Sequence, residues 1–315
     1  MQHKTDKHCV ILGGCGFLGS VVVRRLVSTG WKVRVFDKEG VDTWRLRDVL
    51  QKIELMTGDF MNVGDLRRAV NGIPTVLHFI GTTIPQSSMN DIHYDIETNV
   101  MPTVRLLELM REQPGQRLLF ASSGGTVYGV AAQNGPLLET DPTEPIASYG
   151  VSKLMIEKYI RLFGHNYGLD YAILRLANPF GESQSVERPQ GAVGVFLHKA
   201  LHGETISIWG DGSVVRDYIY EADVALAVES ILEVGVPSGV YNLGSGVGVS
   251  LTDLLTTIQD VTGLNCRVTY DPSRKFDVPC NILNIDKIQK NCGWKPSHSL
   301  SDGLRKMWAA LEPQR

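Results

Sequence analysis

Short runs of β-branched and aliphatic residues alternate with amphipathic segments through the first half of the chain, a rhythm that predicts a sheet covered on both faces. "HCVILGG" reads as a buried strand, "FLGSVVVRRLVSTG" as a helix closing on Gly30, and "WKVRVFD" as a second strand. "IELMTGD" follows, then helical "VGDLRRAVNG", the strand "TVLHFIG", a helix through "ETNVMPTVRLLELMREQ" and the strand "RLLFASS". Near-continuous apolar strands separated by helices indicate an α/β, doubly wound parallel sheet. Past about residue 178 the rhythm loosens. "NPFGESQSVERPQGAVG" is loop-like, "VGVFLHKALHG" is helical, and "ETISIWGDGSVVRDYIYEADVALAV" reads as strand, turn, strand and helix. "SLTDLLTTIQDVTG", "CRVTYDP" and "SLSDGLRKMWAAL" then predict a smaller C-terminal α/β lobe. The expected division is 1–177 and 178–315, with the chain crossing between the two units.

Composition narrows the functional classes. At 315 residues, 43% hydrophobic and 21% charged, the chain has the profile of a soluble globular protein. A net charge of -3 provides no electrostatic footprint for nucleic acid or an anionic membrane. No apolar run reaches membrane-span length, and "MQHKTDKHCVILGG" enters a strand without a signal-peptide pattern, so a cytoplasmic location is expected. Cys9, Cys15, Cys266, Cys280 and Cys292 are odd in number, scattered and free of CxxC spacing. Neither a disulfide framework nor a metal site is expected from them, and the eight histidines also lack ligand spacing. His3 and His8 read as solvated, and His78 as strand packing.

"GGCGFLG" sets Gly13, Gly16 and Gly19 in GxxGxxG spacing between the first strand and its helix. Glycine permits a tight turn and close approach to a pyrophosphate, while the helix start offers amides and the positive end of its dipole. Such a string alone is weak evidence, since glycine turns are also purely structural. Here Asp37 ends the second strand, where a carboxylate can accept both ribose hydroxyls of NAD and repel a 2′-phosphate. Lys38 follows and leaves dual specificity open; NAD is the expected cofactor. Asp59, in "TGDF", fits either the adenine edge or an ordinary cap or turn.

"SYGVSK" holds Tyr149 and Lys153 four residues apart, on one face of a helix. A lysine cation beside a phenol favours the phenolate and is expected to lower its pKa towards neutrality. The phenolate could then take a proton from a sugar hydroxyl as hydride leaves the same carbon. Without the glycine motif upstream, the same pair would read as a solvated helix face.

The ordered set "GGCGFLG", "VFD", "TGDF", "FASSGGTVYG", "SYGVSK", "LRLANPFG" and "WGDGSVVRDYIY" resembles the extended short-chain dehydrogenase/reductases. Within them it is most similar to the NAD-dependent nucleotide-sugar epimerase/dehydratase branch, from about residue 8 to the tail "CGWKPSHSLSDGLRKMW". The resemblance implies a Rossmann domain and a C-terminal lobe that grips a nucleoside diphosphate sugar. Tyr149 would be the base and acid, and Lys153 would bind the nicotinamide ribose. Gly13, Gly16, Phe17, Leu18, Gly19, Asp37, Lys38, Asp59, Phe60, Phe79, Ile80, Gly81, Asn99 and Ser122 would line the cofactor with that pair. Thr82 and Thr83 would line the sugar, Asn178 would touch its phosphate, and Arg216 and Arg274 would hold the diphosphate. Surface pairing of Arg216 with Asp217 or Asp211 is the plain alternative. Asp223 reads as a helix-start residue, and "GSGVGVSLTDLL" as a turn and cap.

One position departs from the family. Its epimerases carry a hydroxyl two residues before the Thr-Val-Tyr-Gly unit, which is Gly124 here, and its dehydratases carry Thr-Asp-Glu where this chain has Gly124, Gly125 and Thr126. Elimination of water needs a further acid and base that this segment lacks, so dehydration is disfavoured. Ser123 or Thr126 could replace the hydroxyl. Strand alternation, which would put Ser122, Gly124 and Thr126 on one face, favours Thr126; a capping role is favoured for Ser122. The expected activity is NAD-dependent 4-epimerisation of a nucleoside diphosphate sugar, a UDP-hexose, by a homodimer, with no metal, nucleic acid or membrane partner. The alternatives are a 4-keto-6-deoxy nucleotide-sugar reductase or dehydratase, and a non-catalytic NAD(P)-sensing protein.

Overall fold

The computed structural model describes residues 7–130, 135–184, 191–273 and 278–311. The first strands are β1 (His8–Leu12), β2 (Lys32–Asp37), β3 (Glu54–Thr57), β4 (Thr75–His78), β5 (Arg117–Ser123) and β6 (Asp170–Leu176). They form one parallel sheet in the order β3–β2–β1–β4–β5–β6. The order reverses between β1 and β4, and the crevice at their carboxyl ends is where doubly wound sheets bind ligands. Each face is apolar: Ile11, Val35, Leu77 and Leu119 pack on one side, and Val10, Phe36, Val76 and Phe120 on the other. That is why the central strands β1, β4 and β5 read as nearly continuous hydrophobic runs, while β2 and the edge strand β3 carry polar residues.

Beyond residue 177 come β7 (Asn178–Phe180), β8 (Ile206–Trp209), β9 (Val215–Tyr220), β10 (Gly239–Leu243), β11 (Gly248–Ser250), β12 (Val268–Asp271) and β13 (Cys280–Asn281). β10 joins the first sheet as a seventh parallel strand beside β6, and the Glu221–Val234 helix packs on the Phe17–Ser28 helix. The break near 178 is therefore a crossing in sequence, and residues 221–243 belong in space to the first unit. β11, β9, β13 and β7 make the small second sheet, and β8 pairs β12. A separate core of Phe180, Phe196, Ile208, Tyr220, Leu254 and Met307 fills the lobe. Asp217 ties it together: its buried carboxylate accepts from Ser245, Gly246 and Leu283 amides at 2.7, 3.1 and 3.2 Å.

Three local readings are corrected. β5 ends at Ser123, and Gly124–Val127 forms a helical turn, so period-two alternation does not carry through to Thr126. "NPF" is a short strand, because it gains a parallel partner in β9. The helix through "ETNV" opens as a π-turn, Ile96–Val100, before Met101–Arg111. Pro102 has no N–H for the carbonyl four residues back, which interrupts the α ladder there.

Candidate active site

The glycine loop is built by close approach. Gly13 has φ +82°, and a Cβ on it would lie 3.0 Å from the Ile80 amide nitrogen. A Cβ on Gly19 would overlap the Gly13 carbonyl. Gly16 is the N-cap of the Phe17–Ser28 helix and brings no capping side chain, so the first-turn amides are left for another acceptor. Asp37 receives the Cys15 and Lys38 amides at 2.9 Å each and thereby locks the loop to the end of β2. Gly81 is exposed, and a Cβ there would meet nothing within 4 Å. This cradle fits a dinucleotide: free helix-start amides, a close-packed glycine turn and a carboxylate at the end of the neighbouring strand.

Other residues assigned to the cofactor behave unevenly. Phe17, Leu18, Phe79 and Ile80 are half-buried around the loop. Asp59 is exposed and accepts the Met61 amide at 2.8 Å, the turn role that the sequence left open, while Asn62 caps the next helix. Phe60 is buried against His78, with ring centroids 5.1 Å apart. His78 also bonds Thr103 at 3.0 Å, and burial followed by the Lys153 charge holds it down to about 3, so it is neutral packing. The Ser122 hydroxyl is turned into the interior, donating to Glu157 at 2.5 Å, so it is not available on the cofactor face.

Tyr149 and Lys153 lie in the first turns of the Ser148–Tyr167 helix. The Lys153 ammonium donates to the Ala121 carbonyl at 2.9 Å and sits 5.6 Å from the centre of the Tyr149 ring. Burial pulls Lys153 down to about 8, against the charges of Asp95 and Glu157. Burial, and then Asp95, push the Tyr149 phenol up to about 12. The expected fall towards neutrality is thus absent in the chain itself. Asp95 is the residue that sequence reading missed. It is one of three acids in the polar run "NDIHYDIETN", with no spacing signal, yet it is fully buried beside the pair while Asp91 and Glu97 are exposed.

Asn99 and the two threonines belong to the same network. Asn99 Nδ2 donates to Thr82 Oγ1 at 2.7 Å and to the Asp95 carboxylate at 3.2 Å, and its Oδ1 accepts the Thr82 amide at 3.0 Å. Thr83 is buried and donates to Asp95, which corrects its placement on the sugar side. Thr82 is exposed, and its hydroxyl pairs with that of Thr98 at 2.6 Å.

Gly124 is closed rather than merely bare. A Cβ on it would lie 2.6 Å from Leu283 Cδ1 and 3.0 Å from the Arg175 carbonyl. Gly124→Ser is therefore expected to lower stability by about 1–3 kcal/mol with no gain in turnover, read by urea unfolding and a parallel rate assay. A stable and faster variant would show that the position faces substrate. Thr126 Oγ1 is buried with no hydrogen-bond partner among the described residues. Ser123 is half-exposed, and its Oγ lies 4.0 Å from where a Gly125 Cβ would sit, a point only 3.7 Å from Asn178 Oδ1.

Asn178 donates to the Asp217 carbonyl at 2.9 Å and borders a cavity of about 440 Å³ with Arg216, Trp209, Tyr218, Phe196 and Gln86. Arg216 donates to the Val215 and Val278 carbonyls at 2.9 and 2.6 Å. The Asp217 carboxylate accepts from Ser245, Gly246 and Leu283, and that of Asp211 from Ser213. Arg274 lies outside the described residues. The aromatic lining, Trp209 and Tyr218, went unread because β8 and β9 supply it from positions that look like ordinary strand residues. The Tyr218 hydroxyl is buried without a hydrogen-bond partner among the described residues.

A switch-point glycine cradle and a helical Tyr–Lys pair together define an extended short-chain dehydrogenase/reductase, an NAD-using enzyme class. The sequence profile of the "NAD dependent epimerase/dehydratase family" matches residues 9–244, and the chain belongs to that family. The UDP-glucose 4-epimerase of Thermotoga maritima, solved with UDP-glucose, is similar at 30% identity and TM-score 0.91, covering 98% of this chain and 99% of that one. The UDP-glucose 4-epimerase of Thermus thermophilus, solved with NAD, is similar at 28% identity and TM-score 0.89, covering 97% and 99%. A dTDP-4-dehydro-6-deoxyglucose reductase of Escherichia coli is 30% identical over 95% of both chains. The cofactor is NAD. Among the described residues no helix is long and apolar enough to cross a membrane, and no cluster could hold a metal ion.

Proposed function

We propose that this enzyme interconverts the C4 epimers of a nucleoside diphosphate sugar, a UDP-hexose, through a 4-keto intermediate. The observation that carries the reading is the Tyr149–Lys153 pair, held at the carboxyl end of β5 by the Lys153 bond to Ala121 and lying beside a turn whose residues 124–126 hold no acid. Epimerisation needs one base that also returns the proton, whereas dehydration needs an additional acid and base. Bound NAD supplies the hydride acceptor and a cationic ring. Gly13, Gly16 and the amides of Phe17 and Leu18 hold its phosphates, Asp37 its ribose hydroxyls, and Lys153 the nicotinamide ribose. Tyr149 removes the proton from O4 and gives it back. Ser123, the half-exposed hydroxyl, orients O4 in place of the residue missing at Gly124. Thr126 serves less well, since its oxygen is sealed from the cleft.

Asn178 and Arg216 bind the diphosphate, and Trp209 and Tyr218 pack the nucleoside in the 440 Å³ cavity. The 4-epimerases that resemble the chain over nearly its whole length support the choice of reaction and of UDP. Exposed Met101, Val151, Tyr159, Leu162 and Tyr167 on the adjacent Met101–Arg111 and Ser148–Tyr167 helices support a homodimer through that face. A single monomeric species in sedimentation velocity removes this part of the proposal.

The E. coli relative favours one second reading, reduction of a 4-keto-6-deoxy sugar at the same tyrosine. Incubation with UDP-glucose and UDP-N-acetylglucosamine, followed by chromatography, separates the two. A 4-epimer formed without net change in NAD supports epimerisation. Stoichiometric consumption of reduced nicotinamide with a 4-keto sugar, and no epimer, replaces it with reduction.

A further inference from the structure

Asp95 ends the short helical turn Ile92–Asp95 and opens the π-turn behind the catalytic helix. None of its surface is exposed. One carboxylate oxygen accepts from Thr83 Oγ1 and from Asn99 Nδ2 at 3.2 Å; the other accepts from Ser148 Oγ at 2.8 Å and Ser152 Oγ at 2.7 Å. Three hydroxyls and one amide N–H converge on the two oxygens, enough to satisfy an ionised carboxylate. Ser148 and Ser152 bracket Tyr149, and Lys153 follows directly. An interior charge is costly, and an amide could satisfy a hydroxyl network of this shape more cheaply. The carboxylate therefore has to do something that its bonds alone do not require.

We propose that Asp95 is a positioning residue for the Tyr149–Lys153 pair: its buried charge keeps the Lys153 ammonium protonated, and its bonds to Ser148 and Ser152 fix the turn that carries the phenol. The inference rests on the catalytic reading of that pair. The groups around the pair leave Asp95 as the charge that decides. Glu157, on the same helix, is matched by Arg175 of β6 at 2.8 Å. His78 of β4 is neutral, and the end of β5 and the turn after it bring the uncharged Ser122, Ser123 and Thr126. Asn99 and Asn178 carry no charge. Burial draws Lys153 down, and among the opposing charges Asp95 acts first and Glu157 second; the same carboxylate adds to burial in raising Tyr149.

Removing one negative charge therefore has a single sign. Both Tyr149 and Lys153 release their protons at lower pH. Asp95→Asn keeps the side-chain shape, and the serine hydroxyls can rotate to accept from its amide. In NAD-loaded protein, both limbs of the kcat/KM profile are expected to move about one pH unit or more towards acid. The ultraviolet titration of the phenolate, taken as the difference from Tyr149→Phe, is expected to move with them. Thr83→Val strips a donor from the carboxylate, leaves its charge less screened, and moves both limbs slightly the other way. Limbs and titration unchanged in both variants, whatever the loss of rate, make Asp95 a structural residue and overturn the proposal. Wild-type protein inactive on every nucleotide sugar overturns the reaction assignment instead, while the phenolate titration still decides the role of Asp95.

Discussion

Tyr149→Phe is expected to lower kcat by about 10²- to 10⁴-fold, the usual contribution of a general acid–base group, while NAD stays bound and the fold is intact. The substitution removes one oxygen from a half-buried ring and leaves the ring packing, the Tyr149 amide bond to Ser88 at 3.0 Å and the Lys153 bond to Ala121 untouched. Rate and binding are therefore separable at this residue. Retained NAD, read by absorbance of the purified protein, together with a lost rate, places the defect in proton transfer. Residual activity within tenfold of wild type would mean that another group takes the substrate proton. The pH profile carries a second check. With the phenol pushed up to about 12 and the ammonium drawn down to about 8 in the chain itself, tyrosinate beside lysinium is a minor ionisation state. The two groups interact, so the limbs belong to the pair and not to either residue.

Arg175→Leu is expected to cost about 3–5 kcal/mol of unfolding free energy, because it strands a carboxylate in the core. Arg175 and Glu157 are 4% and 1% exposed and meet through three nitrogen–oxygen contacts of 2.8 to 3.2 Å. The guanidinium also covers the Tyr128 ring at 4.8 Å and reaches the Glu139 carbonyl at 3.3 Å. Glu157 in turn holds Ser122 at the end of β5, so the loss reaches the turn that lines the active site. The double change Glu157→Gln with Arg175→Leu removes the stranded charge and is expected to recover much of the loss in urea unfolding. A single variant within about 1 kcal/mol of wild type would mean that water reaches Glu157 and that the pair is not sealed.

Much of this molecule could be read from its residues because the informative features are local. The centres of β1 and β4 are buried on both faces, so their side chains form short apolar runs, while β2 keeps Val33, Val35 and Phe36 buried between polar residues. The glycine loop and the Tyr–Lys pair each occupy a single turn, where spacing alone sets geometry. What escaped was non-local or depended on where an element stops. Thr126 was favoured on a strand period that ends at Ser123, and Thr83 was given to the sugar although a carboxylate twelve residues later captures it. The closure of Gly124 comes from Leu283, more than half the chain away, and no pattern near residue 124 announces it. Asp95 has neither a periodic neighbour nor a motif, and its importance arises only when the Ser148–Tyr167 helix is laid against it.

The late return of β10 bears on how the polypeptide comes into being. During synthesis every strand from β1 to β6 is complete before residue 178, yet β6 keeps an unpaired edge until residues 239–243 emerge and pair with it. A fragment ending at residue 177 would present that edge, and the apolar face of the Phe17–Ser28 helix that Glu221–Val234 covers, to water and to other copies of itself. A fragment of residues 1–177 is therefore expected to be prone to self-association, because the last staple of the first sheet is made only after the opening part of the second lobe, residues 178–220, has been synthesised.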